Sequence, residues 1–382
     1  MGRHLKLCMI AGERSGDLHG AMVASQIKSA DPDAEIFGMG GARMREAGVE
    51  VIYDMTEIAV VGFLEVLKNL GTFRSIFHDL VRHVGERRPD AVILIDLPGF
   101  NLRFGPRVKK IGIPIVYYIS PQTWAWGKWR IKKMREFIDK FYVILPFEVE
   151  FYRNEGIEVE YVGHPLVDVL KTEHSREEFR GKLGVGDGEK LVSMLPGSRE
   201  QEIERILPLM ITTAQRIRNE VPGTKFVVPA ASEYLKDMVL SMISVSDVEM
   251  DVRTNNVYDI MNASDAAIVS SGTATLEMGW FGVPFVLVYR MSFLSYLMAK
   301  VVAKVDKIGL LNILARKTIV TEYIQRDVRP GDVAEEITRY LIDEKVAEQK
   351  RSELLCVRDL LGESGAAKRV ADGIIEFIHS RR

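Results

Sequence analysis

The sequence predicts an α/β protein built from two doubly wound parallel-sheet domains. Short apolar segments that indicate buried strands alternate with segments of helical periodicity in both halves of the chain. The 382 residues also exceed the roughly 250–300 that one hydrophobic core usually organises. A break at Gly163-His164-Pro165, followed by a charged stretch, places the domain boundary near Pro165. We therefore expect an N-terminal domain over 1–164 and a C-terminal domain over 165–364.

The first half predicts a strand at 5–11, a glycine-rich turn at 12–17 and a helix at 21–29. Further strands are predicted at 35–39, 91–95, 113–119, 141–145 and 159–162, with helices that begin at Ser120 and at Phe147. The segment 60–80 carries too many apolar residues for one buried helical stripe. Core helices are the simpler interpretation, and an exposed apolar surface that meets a partner or a membrane is the alternative.

The second half repeats the alternation. Strands are predicted at 191–195, 225–228, 248–252, 266–269 and 284–289. Helices are predicted after Arg199, at 273–281, 292–304 and 311–315, and from Pro330 onward.

Composition excludes several classes of protein. The net charge of −2 provides no overall basic field, so nucleic acid is not an expected partner. Cys8 and Cys356 form neither a disulfide framework nor a metal-binding pattern, which is typical of a reducing cytoplasm. No apolar run reaches the ~18 residues of a transmembrane helix, and the first residues lack the apolar region of a signal peptide.

The stretch from Ser270 to Glu277 indicates an anion site. A buried strand ends there in Ser270-Ser271-Gly272, and a helix follows from Thr273. Free backbone N–H groups and the helix dipole favour a phosphate at such a point. Glu277 lies about one turn beyond Thr273 on the same face, where its carboxylate could bind ribose hydroxyls. This predicts a nucleotide-diphosphate site, and an ordinary turn with Ser and Thr caps is the alternative.

Other charged residues at strand ends are candidates for chemistry. Glu13 and Asp96 end strands of the first half, and either could act as a general base or simply cap a helix. Arg199 could bind a diphosphate through both guanidinium nitrogens, or form a surface ion pair with Glu202 or Glu204. No Asp-x-Asp pair stands at a strand end, so no metal site is predicted.

Three tryptophans accompany a basic run. Trp124, Trp126 and Trp129 lie among Lys and Arg residues, with no acid before Glu136. Such a composition suits the rim of a phosphate site or a lipid headgroup region, and a solvated helix face with packed indoles is an equal alternative. His19 and His164 are interpreted as packed or surface residues.

Taken together, these residues resemble the lipid-A-disaccharide synthase family, which consists of inverting glycosyltransferases of the B fold. That fold has two Rossmann-like domains facing each other across a cleft, with the last helix, here 365–382, returning to the first domain. The matching motifs span most of the chain: Ala11-Gly12-Glu13, Ser15-Gly16-Asp17, Val61-Gly62-Phe63, Glu65-Val66-Leu67, Ile95-Asp96 with Pro98 and Phe100-Asn101, Ser120-Pro121-Gln122 with Trp124-Ala125-Trp126, Leu145-Pro146-Phe147-Glu148, Gly163-His164-Pro165, Leu195-Pro196-Gly197-Ser198-Arg199, Ser271-Gly272-Thr273-Ala274 with Leu276-Glu277, Asn312 and Gln325.

The resemblance implies a reaction. UDP-2,3-diacylglucosamine would be joined to 2,3-diacylglucosamine 1-phosphate (lipid X) through a β-1′,6 linkage, with inversion and release of UDP. Asp96 is implied as the general base, Glu13 as a second active-site acid that leaves the choice of base open, and Arg199 as essential. No metal or other cofactor is implied. The implied UDP-binding residues are Arg199, Ser271, Gly272, Thr273, Glu277, Asn312 and Gln325.

The resemblance also implies a location. The apolar segment from Val60 to Phe77 would contact acyl chains and the membrane, which reverses its simpler interpretation as core. The protein would act in lipid A biosynthesis as a peripheral protein on the cytoplasmic face of the inner membrane, and a homodimer stays open. The implied acceptor and lipid contacts are Val61, Phe63, Leu64, Val66, Leu67, Leu70, Trp124 and Trp126.

The sequence departs from the family pattern at three positions that bear on the site. Gly99 stands where an Asp is usual, Gly127 where an Arg is usual, and Leu311 where a Pro is usual. Gly99 puts the pKa of Asp96 and acceptor binding in doubt. The rival functions are a UDP-N-acetylglucosamine 2-epimerase or soluble-sugar transferase of the same fold and, from another class, a non-catalytic lipid-binding protein.

Overall fold

The structure, a computed structural model, describes residues 4–54, 70–121, 123, 124, 127, 129–270, 272–291 and 307–382, with the side chains of Leu70 and Thr72 left out. Backbone contacts divide the chain into two units, one of Met1–Asp168 with Leu361–Arg382 and one of Val169–Leu360. Each unit holds one parallel sheet with helices around it, which confirms the predicted fold class. The division falls at Asp168 rather than at 164.

The first unit contains a seven-stranded sheet in the order β3-β2-β1-β4-β5-β6-β7. Its strands are β1 Lys6–Ile10, β2 Glu35–Gly40, β3 Glu50–Asp54, β4 Ala91–Ile95, β5 Ile115–Tyr118, β6 Lys140–Val143 and β7 Glu160–Tyr161. The helices that follow these strands are α1 Arg14–Ala30, α2 Ala42–Glu46, α3 Leu70–Arg87, α4 Pro98–Lys110, α5 Trp129–Phe137, α6 Pro146–Asn154 and, at the unit boundary, α7 Leu166–Val169.

The second unit contains a six-stranded sheet in the order β10-β9-β8-β11-β12-β13. Its strands are β8 Leu191–Leu195, β9 Lys225–Pro229, β10 Asp251–Arg253, β11 Ala266–Ser270, β12 Phe285–Tyr289 and β13 Glu322–Ile324. Its helices are α8 Arg176–Lys182, α9 Glu200–Glu220, α10 Glu233–Ile243, α11 Val257–Ala263, α12 Ala274–Phe281, α13 Leu310–Leu314, α14 Pro330–Ile342 and α15 Glu344–Leu361. A final helix, α16 Ala366–His379, belongs to the first unit.

The central strands are apolar on both faces because helices cover both sides of each sheet. In β1, Leu7 packs on one face with Val370 of α16, whereas Cys8 packs on the other with Leu80 of α3. Helix α16 also packs against α1. The guanidinium group of Arg369 fixes α16 further, since its Nε donates to the carbonyl of Val162 at 2.8 Å.

Several helix boundaries differ from the prediction. Helix α1 begins at Arg14, so the turn expected at 12–17 is mostly helical. The helix expected from Ser120 begins at Trp129 instead. A turn forms at Pro121 instead, because its carbonyl accepts the N–H of Thr123 at 2.6 Å and the hydroxyl of the distant Tyr152 at 3.1 Å.

Two strands were not predicted, and one was misplaced. Strands β3 and β13 lie at sheet edges, are only half-buried and carry apolar runs of at most three residues. The strand expected at 248–252 spans Asp251–Arg253. The segment 60–80 lies outside the described residues up to residue 69, and α3 follows from Leu70. Within the described ranges, each helix is too short or too polar to cross a bilayer.

Candidate active site

The first candidate site lies where the strand order of the first sheet reverses. Strands β1 and β4 are neighbours, but the helices that follow them pack on opposite faces, which opens a crevice at their carboxyl ends. Glu13 follows β1, and Asp96 follows β4. The two loops touch, since a Cβ atom on Gly12 would lie 2.4 Å from Cδ2 of Leu97.

Asp96 has an unusual backbone conformation. Its φ angle is +46°, and that of Leu97 is +43°. Its carbonyl oxygen accepts hydrogen bonds from the hydroxyl of Tyr117 at 2.7 Å and from Nδ2 of Asn101 at 2.8 Å. Two consecutive left-handed residues without a glycine place the Asp96 side chain at the rim of the crevice.

The surroundings of Asp96 suit a general base. Burial and, to a smaller extent, the negative charge of Glu13 together raise the pKa of its carboxyl group to about 6, against an opposing hydrogen bond from the N–H of Leu97. A carboxyl with this pKa is mostly ionised at neutral pH and still basic enough to accept a proton in a transition state.

Two acids that follow β1, Glu13 and Asp17, differ in role. The Glu13 side chain is exposed and forms no capping bond at the start of α1. Asp17 is buried, and its carboxylate accepts the N–H groups of Gly41 at 2.7 Å and Met44 at 3.0 Å. Asp17 therefore caps α2, whereas Glu13 is available to a ligand or to Asp96.

The loop after β5 lies beside the Asp96 loop, because β4 pairs with β5. Trp124 is half-buried there, with its indole edge-to-face on Phe147 at 5.2 Å. Glu148 of α6 braces this loop, since its buried carboxylate accepts hydrogen bonds from the Ser120 hydroxyl and from the N–H of Leu145 at 3.0 Å. Burial raises the pKa of Glu148 to about 7. Trp126 lies outside the described residues.

From the sequence alone, Glu148 is a motif residue without a predicted role. The signal that could have found it is the proline at the start of α6 with a glutamate two residues later, which resembles a helix N-terminal capping pattern. Of the predicted lipid contacts, Leu70 begins α3, and the others in the apolar segment lie outside the described residues. Helix α3 packs against α4 through Phe77 and Phe100, whose rings are 5.5 Å apart.

The second candidate site lies at the equivalent point of the other sheet. Strands β8 and β11 are neighbours with Leu195 opposite Val269, and the strand order reverses between them. Arg199 follows β8, and Gly272 and Thr273 follow β11. The structure thus brings the predicted arginine loop and the predicted phosphate loop to adjacent strand ends.

Arg199 is loosely held. Its side chain is 72% exposed, and Nη1 lies 3.3 Å from Oε1 of Glu202, which is the surface ion pair considered from the sequence. Oε2 of Glu202 also accepts the N–H of Ser198 at 3.1 Å. Exposed pairs contribute little, about 0–1 kcal/mol, so a diphosphate could compete for the guanidinium group.

The loop after β11 is shaped for close approach. Gly272 has a φ angle of +137°, and apart from its chain neighbours no atom of the described residues lies within 4 Å of the position of a Cβ on it. The hydroxyl of Thr275 donates to the Gly272 carbonyl at 2.8 Å and fixes the turn. Helix α12 begins at Ala274, with Thr273 exposed at its start. Ser271 lies outside the described residues.

Glu277 lies in α12 just after this loop and is half-buried. Burial raises the pKa of its carboxyl group to about 7. Within the described part of the chain, its side chain has no hydrogen-bond or ion-pair partner. A half-buried carboxyl group in this state gains most from hydroxyl donors supplied by a ligand.

Asn312 and Gln325 differ in their capacity to bind a ligand. The amide of Asn312 is buried and fully used, because Nδ2 donates to Val320 and Glu322 and Oδ1 accepts the N–H groups of Ile319 and Val320. The direct contact of the Asn312 side chain with UDP stays a prediction. Gln325 follows β13, and its Nε2 donates to the carbonyl of Met291 at 3.3 Å.

One group of metal-binding side chains occurs among the described residues. It consists of Glu173, His174 and Asp259, with donor atoms within 4.8 Å of one another. Oδ1 of Asp259 already accepts the N–H groups of Glu173 at 3.0 Å and His174 at 2.9 Å. The carboxylate thus anchors the start of the second unit to α11.

Two doubly wound parallel sheets, each with charged loops at its point of strand reversal, are the architecture of B-type glycosyltransferases and of nucleotide-sugar epimerases. The chain is similar in structure to a calicheamicin glycosyltransferase, with a TM-score of 0.61, 13% identity and 99% of each chain covered. It is also similar to a UDP-N-acetylglucosamine 2-epimerase from Neisseria meningitidis bound to UDP-GlcNAc, with a TM-score of 0.67 and 12% identity over 97% of this chain and 100% of that one. At these identities the likeness establishes the fold.

Sequence comparison identifies the family. The family model described as lipid-A-disaccharide synthetase matches residues 7–371. A lipid-A-disaccharide synthase from Trichlorobacter lovleyi is 40% identical over 378 residues, which cover 99% of each chain. The chain belongs to the lipid-A-disaccharide synthase family and is a glycosyltransferase that forms the lipid A disaccharide. This confirms the resemblance drawn from the motifs.

Proposed function

We propose that the enzyme transfers the sugar of UDP-2,3-diacylglucosamine to the 6-hydroxyl of lipid X. The products are the β-1′,6-linked disaccharide 1-phosphate and UDP, with inversion at the anomeric carbon. One observation carries the proposal: each sheet presents complementary chemistry at its strand reversal. In the first sheet, a carboxylate of raised pKa follows β4. In the second sheet, an arginine follows β8 and a helix start follows the neighbouring strand β11. Family membership supports a UDP-sugar and a lipid as the two substrates.

In the first unit, which we assign to the acceptor, Asp96 takes the proton of the 6-hydroxyl as that oxygen attacks the anomeric carbon. Glu13 keeps the pKa of Asp96 raised by its charge, which makes Asp96 a stronger base. Trp124 forms part of the wall of the acceptor site next to the Asp96 loop, and Trp126 is a further acceptor contact in this proposal. Asp96 is preferred over Glu13 as the base because Glu13 is exposed and its carboxylate is better solvated.

In the second unit, which we assign to UDP, the electron pair of the breaking bond leaves with the diphosphate. Arg199 binds it through two nitrogens, and the N–H groups of Gly272 and Thr273 at the start of α12 stabilise its charge, with Ser271 as a further UDP contact in this proposal. Glu277 accepts hydrogen bonds from ribose hydroxyls. Gln325 lines the same pocket, and Asn312 supports it from beneath.

Arg199 and the start of α12 stabilise the charge of the departing diphosphate, so the proposed reaction uses neither a metal nor another cofactor. The enzyme acts as a peripheral protein on the cytoplasmic face of the inner membrane. The apolar segment that includes Val61, Phe63, Leu64, Val66, Leu67 and Leu70 contacts the membrane and the acyl chains. Both a monomer and a homodimer fit this proposal.

The test is incubation of the purified enzyme with UDP-2,3-diacylglucosamine and lipid X, with and without EDTA. We expect disaccharide and UDP in equal amounts, unchanged by EDTA. Absence of the disaccharide would refute the substrate assignment, whereas turnover that EDTA abolishes would refute only the metal-free mechanism. UDP-GlcNAc with glucosamine 1-phosphate is the matched control, because a soluble-sugar transferase would accept that pair and remain in the supernatant when vesicles are sedimented.

A further inference from the structure

The turn that carries Asp96 is strained. Left-handed backbone angles cost an L-residue roughly 1–2 kcal/mol each, and Asp96 and Leu97 both adopt them. Pro98 follows at the first position of α4 and restricts Leu97 further. Such a turn persists only where the surrounding structure holds it, and strain of this kind collects at functional sites.

Two side chains hold the turn through one atom. The carbonyl oxygen of Asp96 accepts hydrogen bonds from the Tyr117 hydroxyl at 2.7 Å and from Nδ2 of Asn101 at 2.8 Å. Nδ2 of Asn101 also contacts the carbonyl oxygen of Ile95 at 3.3 Å. A net contribution of about 1 kcal/mol for each hydrogen bond is similar to the strain that the turn stores.

Both holding residues are themselves immobile. Tyr117 and Asn101 are fully buried, with no exposed surface. Tyr117 lies on β5, beside β4, and its ring packs edge-on against Phe141 at 5.6 Å. Asn101 lies in α4, where its own N–H donates to the carbonyl of Leu97 at 2.9 Å. The orientation of the Asp96 carbonyl is therefore fixed from the sheet and from the helix at once.

Fixing this carbonyl fixes the side chain. The carbonyl defines the peptide plane after Asp96, and a rotation of that plane toward ordinary backbone angles would redirect the Cα–Cβ bond. A displacement of about 1 Å at a reacting group can cost on the order of 100-fold in rate. We infer that Asn101 and Tyr117 are positioning residues, which hold Asp96 in its left-handed conformation so that its carboxylate reaches the acceptor. This inference rests on the proposed function, in which Asp96 is the base.

The test compares Tyr117→Phe and Asn101→Leu with a matched control, Tyr142→Phe. Tyr142 is fully buried on the neighbouring strand β6, and its hydroxyl has no hydrogen-bond partner among the residues that the structure describes. We expect Tyr117→Phe to lower kcat by about 10-fold and Asn101→Leu by about 10- to 100-fold, with the KM for the UDP-sugar unchanged. Tyr142→Phe should stay within about twofold. Tyr117→Phe keeps the packed ring, so it tests the inference even if Asn101→Leu does not fold.

A double-mutant cycle separates positioning from a structural role. In an Asp96→Asn background the base is absent, so Tyr117→Phe should lower the residual rate by less than about twofold. An equal loss in both backgrounds would overturn the inference. If Asp96→Asn keeps turnover near wild type, the proposed base is wrong. The positioning role is then tested separately by the carboxyl ¹³C shift of Asp96 in proteins that keep this residue. Its pKa should fall in Tyr117→Phe and stay constant in Tyr142→Phe, and an unchanged value in both would overturn the inference.

Discussion

The pKa of Asp96 yields the sharpest prediction for the proposed mechanism. Burial and the charge of Glu13 raise this pKa from an ordinary 3.8 to about 6. An Asp96 of this pKa is roughly 90% ionised at pH 7 and roughly 10% at pH 5, whereas an ordinary aspartate stays more than about 90% ionised at pH 5. The base must be ionised to act, so kcat/KM for lipid X should fall about tenfold between pH 7 and pH 5.

The variant Glu13→Gln tests this pKa, because it removes a negative charge near Asp96 and leaves the side-chain volume almost unchanged. Since a nearby like charge disfavours ionisation, the pKa of Asp96 should fall, by on the order of 1. The acidic limb of the profile then moves to lower pH, and at pH 5 the variant keeps roughly half of its plateau value instead of a tenth. UDP release is measured from pH 4.5 to 8.5 with lipid X varied and the UDP-sugar saturating.

A second titrating acid supplies the control. The pKa of Glu277 is raised to about 7, and its protonation would act on the UDP-sugar, whose saturation removes that effect. Glu277→Gln should therefore weaken binding of the UDP-sugar and leave the limb near pH 6 in place. A wild-type limb near pH 4, or a Glu13→Gln limb that does not move, would refute the assignment of Asp96 as the base held beside Glu13.

Three further predictions concern Glu148, Arg199 and Gly99. Glu148 has a pKa raised from 4.5 to about 7, so the folded protein binds its proton more tightly and stability falls as pH rises across that window. Glu148→Gln should raise the free energy of unfolding at pH 8 by up to about 3 kcal/mol and leave it nearly unchanged at pH 4, measured by urea denaturation. Arg199→Lys keeps the charge but loses the two-nitrogen contact, so UDP affinity by calorimetry should fall about 10-fold or more; unchanged affinity would contradict the assignment. A Cβ at Gly99 would meet no atom of the described residues within 4 Å, and Gly99→Asp adds an acid in the first turn of α4, so it should stabilise the fold by about 0.3–1 kcal/mol in thermal unfolding and move the Asp96 limb to higher pH.

The central strands could be predicted from the sequence because their apolar character is independent of context. Strands β1, β4, β8 and β11 are buried on both faces, and such runs are visible without knowledge of the sheet order. Edge strands β3 and β13 lack that signal. The helix expected at Ser120 was wrong because a hydrogen bond from Tyr152, 31 residues away, decides the conformation of Pro121.

The candidate site was predictable only in part, for a similar reason. Strand ends identify Glu13, Asp96 and Arg199 as candidates, but periodicity does not tell which strands become neighbours. Asn101 was a motif residue without a role, because its two carbonyl acceptors become adjacent only in the strained turn. Asn312 is predicted to bind a ligand. Its four hydrogen bonds within the second unit could not be predicted as well, because the segment that makes them carries no sequence signal of its own.

The return of helix α16 to the first unit has a consequence for synthesis. The second unit is in effect an insertion into the first, because Val169–Leu360 is made before the helix that packs on α1. Until Val370 and Ile374 emerge from the ribosome, the apolar face of α1 and β1 lacks its cover. The unit whose synthesis starts first is therefore the one whose folding ends last, and a nascent chain must keep that face from aggregating while the whole second unit is translated.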